Sequence, residues 1–243
     1  MKKQTSKRRE FLRVIGGVGV ASLSVPNYLI GAKPSAALSR SGVLLEASSF
    51  AKTGGWKIDT QHYLQMGGNY LLAHGMGKPV EDAETVVDLP ASGKWNVWVR
   101  NRDWCKGEWQ SPGRFQVLVE GKPLQITFGE AEESWHWQSG GSVEIAKAGK
   151  TKISLRDLTG FDGRCDAIFF TQESNPSLPE EDLKELSDWK DVLAGRSKEK
   201  VEELSFDLVV VGGGMSGCGA ALAARSQGLR VAVIQDRPLF GGN

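Results

Sequence analysis

Between Gly42 and about Thr171 the chain is written in short alternating segments: VLLEAS, NYLLAHG, ETVVDLP, KWNVWVRN, RFQVLVEG, LQITFGE, SVEIAKAG, KISLRD and DAIFFT. In KWNVWVR, Trp95, Val97 and Val99 share one face of a strand, while Asn96, Trp98 and Arg100 share the other. PASGK, EGKP and KAGK supply turns at the spacing of an antiparallel sandwich. No helical periodicity competes, so residues 42–172 are read as an all-β sandwich.

The pattern then changes twice. Pro176 and Pro179 break the strands, and Leu183, Leu186, Trp189, Val192 and Leu193 recur at helical spacing with charges between them. Pro179 in the first turn, acids at 180–182 and Gly195 at the end fit a capped amphipathic helix within a linker over 173–205. Phe206–Val211 reads as a buried parallel strand, MSGCGAALAARSQG as a helix and LRVAVIQDR as a second strand. Residues 206–243 are therefore the opening βαβ unit of an α/β domain.

Composition is that of an ordinary globular protein: 243 residues, 40% hydrophobic and 24% charged, with a net charge of +1. The charge is uneven. Residues 1–37 hold seven Lys/Arg and one acid, which leaves the rest at −5 with no long basic run, and nucleic acid is excluded as a partner. The basic N-terminus precedes a weakly apolar stretch from about Val14 to Ala32. Gly16, Gly17, Ser22, Ser24 and Pro26-Asn27 interrupt it, so no stable membrane span is expected. KRREFLR resembles the twin-arginine export motif, with Arg8-Arg9 as the pair, Phe11-Leu12 behind and Lys7 where Ser or Thr is usual. Small residues at Ser35–Ala37 suit cleavage. The resemblance implies a signal over residues 1–37, the twin-arginine machinery as partner, and a periplasmic or secreted protein.

Seven of the eight tryptophans lie in the β region. They fill a core, or they stack on sugar faces. Trp104 and Trp109, within RDWCKGEWQSPGRF, are the best ligand candidates because their polar, glycine-containing surroundings read as a loop. ESWHWQSGG at 133–141 reads as a second such stretch. The region from Glu46 to Gly75 resembles the opening of jelly-roll carbohydrate-binding modules. That resemblance implies a carbohydrate ligand, and in some such modules a structural calcium, for which Glu46 and Asp166 are suggestively placed. Ser48 stands where a second Glu is common, so no metal is assigned. Either Cys105 pairs with Cys165, or these and Cys218 are small buried thiols. His62, His74 and His136 have no nucleophile context, and no catalytic residue is named.

Gly212, Gly214 and Gly217 form G-x-G-x-x-G directly after the strand. The first glycine allows the turn, the second lets a pyrophosphate approach the backbone, and the third lets helix and strand pack closely. The helix N-terminus directs its amides at the phosphates. The candidate cofactor residues are Gly212, Gly213, Gly214, Met215, Ser216 and Gly217, with Gln235, Asp236 and Arg237 at the end of the second strand. An acid usually holds the ribose hydroxyls there; Gln235 occupies the counted position and Asp236 follows it. VVVGGGMSGCGAALAARSQGLRVAVIQDRPLFGGN resembles the start of FAD-dependent oxidoreductases of the glutathione-reductase-like class, and PLFGGN favours FAD over NAD. With the signal and the sandwich, it resembles a bacterial exported family of such enzymes. The resemblance implies FAD as cofactor, a small-molecule or carbohydrate substrate, and catalytic residues beyond Asn243. The alternative is a non-catalytic secreted glycan-binding sandwich with a remnant dinucleotide motif.

Overall fold

A computed structural model describes residues 38–66, 68–180, 182–196, 204–235 and 239–241. The proposed export signal lies outside them. The β region forms two antiparallel sheets. The larger contains β1 (Val43–Glu46), β2 (Lys57–Asp59), β3 (Tyr70–His74), β5 (Gly93–Asn101), β8 (His136–Ile145) and β10 (Phe161–Thr171). The smaller contains β4 (Ala83–Leu89), β6 (Phe115–Val119), β7 (Lys122–Pro123) and β9 (Gly149–Asp157), in the order β4-β9-β6-β7. In the larger sheet β10 pairs with β5 along one edge and with β3 and β1 along the other. This is a two-sheet antiparallel β-sandwich, and a βαβ unit follows it.

Alternation accounts for the core. Trp95, Val97 and Val99 of β5 meet Phe115 and Val117 of β6, Ile153 and Leu155 of β9, and Ile168 and Phe170 of β10 between the sheets. DAIFFT does not alternate because β10 is buried on both faces. Phe170 enters the inter-sheet core, whereas Phe169 faces a second cluster with Ala167, Trp137 and Trp189.

That outer cluster is built by the linker. A short helix, α1 (Tyr63–Met66), precedes β3, and a longer one, α2 (Leu183–Leu193), packs on the outer face of the larger sheet. The Trp189 ring meets Phe169 edge-on at 5.1 Å and Trp137 at 5.7 Å, while its Nε1 donates to the Ser39 carbonyl at 2.6 Å. Burying an indole of roughly 200 Å² contributes on the order of 5 kcal/mol. The helix begins one turn later than the prolines suggest. Asp182 caps it by accepting from the Glu185 amide at 2.9 Å, and Pro179 stays outside, its carbonyl taken by Trp137 Nε1. Gly195, at φ +63°, follows the helix end.

Two expectations require correction, and one open alternative is decided. ESWHWQSGG is no exposed loop: Trp135 and Trp137 are each 8% exposed, and residues from His136 onward belong to β8. The strand runs on through Gly140 and Gly141, where its pairing with β5 shifts register opposite Asn96 and Trp98. LQITFGE is not a regular strand; Leu124 and Phe128 bond back to Val117 and Phe115, and the residues between them leave the ladder. Cys105 and Cys165 are unpaired, because Cys165 is buried in the inter-sheet core while Cys105 lies half-buried in the loop after β5. Burial pushes the Cys165 thiol up, so it stays protonated.

Asp166 is the charged centre of the outer face. It is 1% exposed and takes Arg100 at 3.0 Å and Lys190 of α2 at 2.9 Å. Replacing it leaves two buried cations without a counter-charge. Asp166→Asn is therefore expected to destabilise the protein by about 3–5 kcal/mol. Lys190→Met, which leaves a neutral Arg100–Asp166 pair, should cost clearly less. Urea unfolding of the two variants tests this order; equal losses would contradict it.

Candidate functional site

The C-terminal unit consists of β11 (Leu208–Val211), α3 (Met215–Ser226) and β12 (Val231–Ile234). β11 and β12 pair in parallel, Leu208 opposite Val231 and Val211 opposite Ile234. A right-handed crossover through a helix is the standard connection for such a pair.

The turn between β11 and α3 depends on its glycines. Gly212 sits at φ +103°, a conformation that side chains disfavour, and its N–H donates to the Ile234 carbonyl at 2.8 Å. A Cβ on Gly217 would overlap the Gly212 carbonyl oxygen, so the first turn of α3 lies directly against the glycine turn. Gly214 is the N-cap of α3, in extended backbone, with open space where a Cβ would be. No side chain caps this helix. The amides of Met215, Ser216 and Gly217 therefore face an open approach at the positive end of the helix. Met215 is 81% exposed.

Gln235 is engaged within the chain. Its Oε1 accepts the Gly213 N–H at 2.9 Å and its Nε2 donates to the Leu239 carbonyl at 3.1 Å. The side chain thus ties the end of β12 to the glycine turn. Gly241 reinforces the tie by donating to the Gly213 carbonyl at 2.8 Å, and Phe240 packs over Gly213. Sequence reasoning missed these contacts with residues 239–241. Asp236 and Arg237 lie outside the described residues. The donor set suits a pyrophosphate: backbone amides without a side-chain cap, no anion at the cap among the described residues, and glycine at the closest approach.

In the sandwich, Trp109 is 61% exposed, its Nε1 bonded to the Cys105 carbonyl at 3.0 Å and its ring folded over Gly107. Trp104 is less available: its Nε1 donates to the Phe161 carbonyl at 2.9 Å, and Arg164 lies 5.3 Å from its ring centre. The two carboxylates considered for calcium are both spent. Glu46 is held by Arg196 at 3.0 Å and Asp166 by Arg100 and Lys190. Among the described residues no cluster of three metal-ligating groups forms, and no helix is long and apolar enough to cross a membrane.

Comparison with known proteins bears on both parts. Residues 207–243 match the FAD dependent oxidoreductase family. Two curated soluble pyridine nucleotide transhydrogenases match the same end of the chain, both at 51% identity. That of Marinobacter nauticus aligns over 41 residues, 17% of this chain and 9% of its own length. That of Ectopseudomonas mendocina aligns over 39 residues, 16% of this chain and 8% of its own length. Among solved structures, a family 35 carbohydrate binding module from Clostridium thermocellum covers 54% of this chain and 97% of its own, at 17% identity and TM-score 0.42. A CBM35 from Paenibacillus barcinonensis covers 54% and 100%, at 15% identity and TM-score 0.41.

The glycine geometry separates two substitutions. Gly214→Ala meets open space at an ordinary φ, so its effect on thermal unfolding should correspond to about 1 kcal/mol or less. The added methyl stands on the phosphate approach, and FAD affinity should fall at least about tenfold. Gly217→Ala drives a Cβ into backbone and should lower stability and FAD affinity together. Unchanged FAD affinity in Gly214→Ala contradicts this assignment.

Proposed function

We propose that the protein is an FAD-dependent oxidoreductase, exported from the cytoplasm, whose β-sandwich docks a carbohydrate or other small-molecule substrate. The observation that carries this reading is the strand, glycine turn, helix and strand of 208–234. Its open, uncapped amides coincide with the residues that match the FAD dependent oxidoreductase family.

The residues divide the work of binding. Gly212 and Gly217 hold β11 and α3 close, Gly213 is tied to Gln235 and Gly241 and shapes the turn, and Gly214, Met215, Ser216 and Gly217 present backbone to the pyrophosphate. Gln235 fixes the turn from the far strand, and the ribose hydroxyls fall to Asp236, with Arg237 beside it and the remaining Gln235 donor in reach. When bound, FAD supplies the electron acceptor for oxidation of the substrate. Val211, Ile234 and Leu222 are exposed apolar surface on this unit, suited to further strands and helices of a cofactor domain.

The exposed Trp109 ring supports sugar docking by the sandwich, as does its likeness in fold to modules whose names record carbohydrate binding. Export rests on the twin-arginine-like KRREFLR. That route carries folded proteins, which suits a cofactor inserted before transport. A non-catalytic glycan-binding sandwich is the competing reading.

Purification of the natural protein containing this chain should give a yellow sample that releases FAD on denaturation; colourless protein, or release of NAD, contradicts the proposal. Changing Arg8 and Arg9 together to Lys should retain the protein in the cytoplasm, as read by cell fractionation. Undiminished export would remove the twin-arginine part alone.

A further inference from the structure

A recess of about 380 Å³ opens on the outer face of the larger sheet, and neither the glycine turn nor Trp109 is among its lining residues. Its walls come from Arg100 of β5 and Arg102 just after it, the residues just before β8 (Ser134 and Trp135), Gln65 of α1 and Leu183 of α2. The chain thus gathers it from four separate segments.

Its lining is rich in donors and poor in acceptors. Arg100, 2% exposed, spends Nη1 on Asp166 and Nη2 on the Glu180 carbonyl, but its Nε meets no partner. Trp135, 8% exposed, leaves Nε1 unpaired, and Arg102 likewise leaves Nε. Buried donors without acceptors are costly and rare, and three on one recess indicate a missing acceptor. Three acceptors on the lining are committed, and the Ser134 hydroxyl and Glu180 carboxylate, both on exposed residues, do not reach these nitrogens. The Glu180 carbonyl takes Arg100, Gln65 Oε1 is held by His62 Nδ1 at 2.5 Å, and the Ser134 carbonyl takes His136 Nδ1.

Charge points the same way. Asp166 is shared by two buried cations, so that triad keeps an excess positive charge. Arg102 has His62 Nε2 as its hydrogen-bond partner, at 3.3 Å, and burial holds this imidazole below its usual pKa and therefore neutral. Burial, then the neighbouring Arg164 guanidinium, lower the Arg102 pKa, a cation poorly compensated by the chain. Asp103 and Glu133 act on Arg102 only through space. Both Asp103 oxygens are taken, by Ser111 Oγ and the Cys105 N–H. Glu180, at the rim, is exposed.

We propose that this recess binds the carboxylate of a small organic acid. A neutral sugar needs acceptors as well as donors, whereas a carboxylate only accepts. A planar, two-oxygen group suits a few converging guanidinium and indole N–H donors. The site extends the reading of the sandwich as a docking module by assigning a place and a charge to what it holds, and it does not depend on FAD.

The test is titration calorimetry on the intact protein, with flavin content recorded in the same samples so that loss of cofactor is distinguished from loss of this site. The probes are acetate, succinate, D-glucuronate, D-glucose and inorganic phosphate. At least one of the three carboxylates should bind, at least about tenfold more tightly than glucose, and should weaken as salt is raised. Arg102→Gln should reduce that affinity at least about tenfold at unchanged flavin content. Trp135→Phe, which removes the indole N–H and keeps an aromatic ring, should also weaken binding and guards against misfolding of the arginine variant. Binding of phosphate alone, equal binding of glucuronate and glucose, no binding by any carboxylate, or full affinity in both folded variants would each overturn the proposal.

Discussion

One carboxylate shared by two cations organises the larger sheet. Asp166 lies on β10, Arg100 on the adjacent β5 and Lys190 on α2, and all three are buried. Burying charges is unfavourable unless they pair and hydrogen-bond well, so the arrangement constrains how α2 sits on the sheet. With Lys190 fixed, Trp189 enters between Phe169 and Trp137, and Asp182 caps the start of the helix. Arg100 is held by the same carboxylate and lines the recess. Packing of the linker helix and the chemistry of that recess therefore share one interaction.

The C-terminal unit follows a different rule. None of α3 is buried, and its geometry is set by backbone: a left-handed Gly212, the close approach at Gly217 and the ladder between β11 and β12. A turn made from backbone needs few particular side chains, which is why about forty residues suffice to match the FAD dependent oxidoreductase family. The sandwich bears the opposite signature, with side-chain clusters, paired charges and aromatic contacts spread over distant segments. The two parts are thus built differently: one on exact backbone, the other on varied side chains.

What the sequence made legible was local. Alternation in KWNVWVR identifies a strand, and the glycine spacing identifies a turn, because both depend on neighbours in sequence. The amphipathic stripe of Leu186 and Trp189 identifies a helix but not the surface beneath it. For the same reason Trp135 and Trp137 read as exposed: polar residues and glycines surround them, and the groups that cover them, Tyr70 and Trp189, come from distant segments. Gln235 is a similar case, since its bonds to Gly213 and Leu239 exist only once the turn has closed. Arg100 and Arg102 share a face by simple alternation, but the recess they line requires α1 and α2.

The central claim is that the glycine turn holds FAD through its backbone. Amide hydrogen exchange across 208–234, measured with FAD bound and after its removal, tests this most directly. The account requires strong, FAD-dependent slowing at Gly214 to Gly217, with little change in the sandwich. Exchange at those amides that is indifferent to FAD would contradict it.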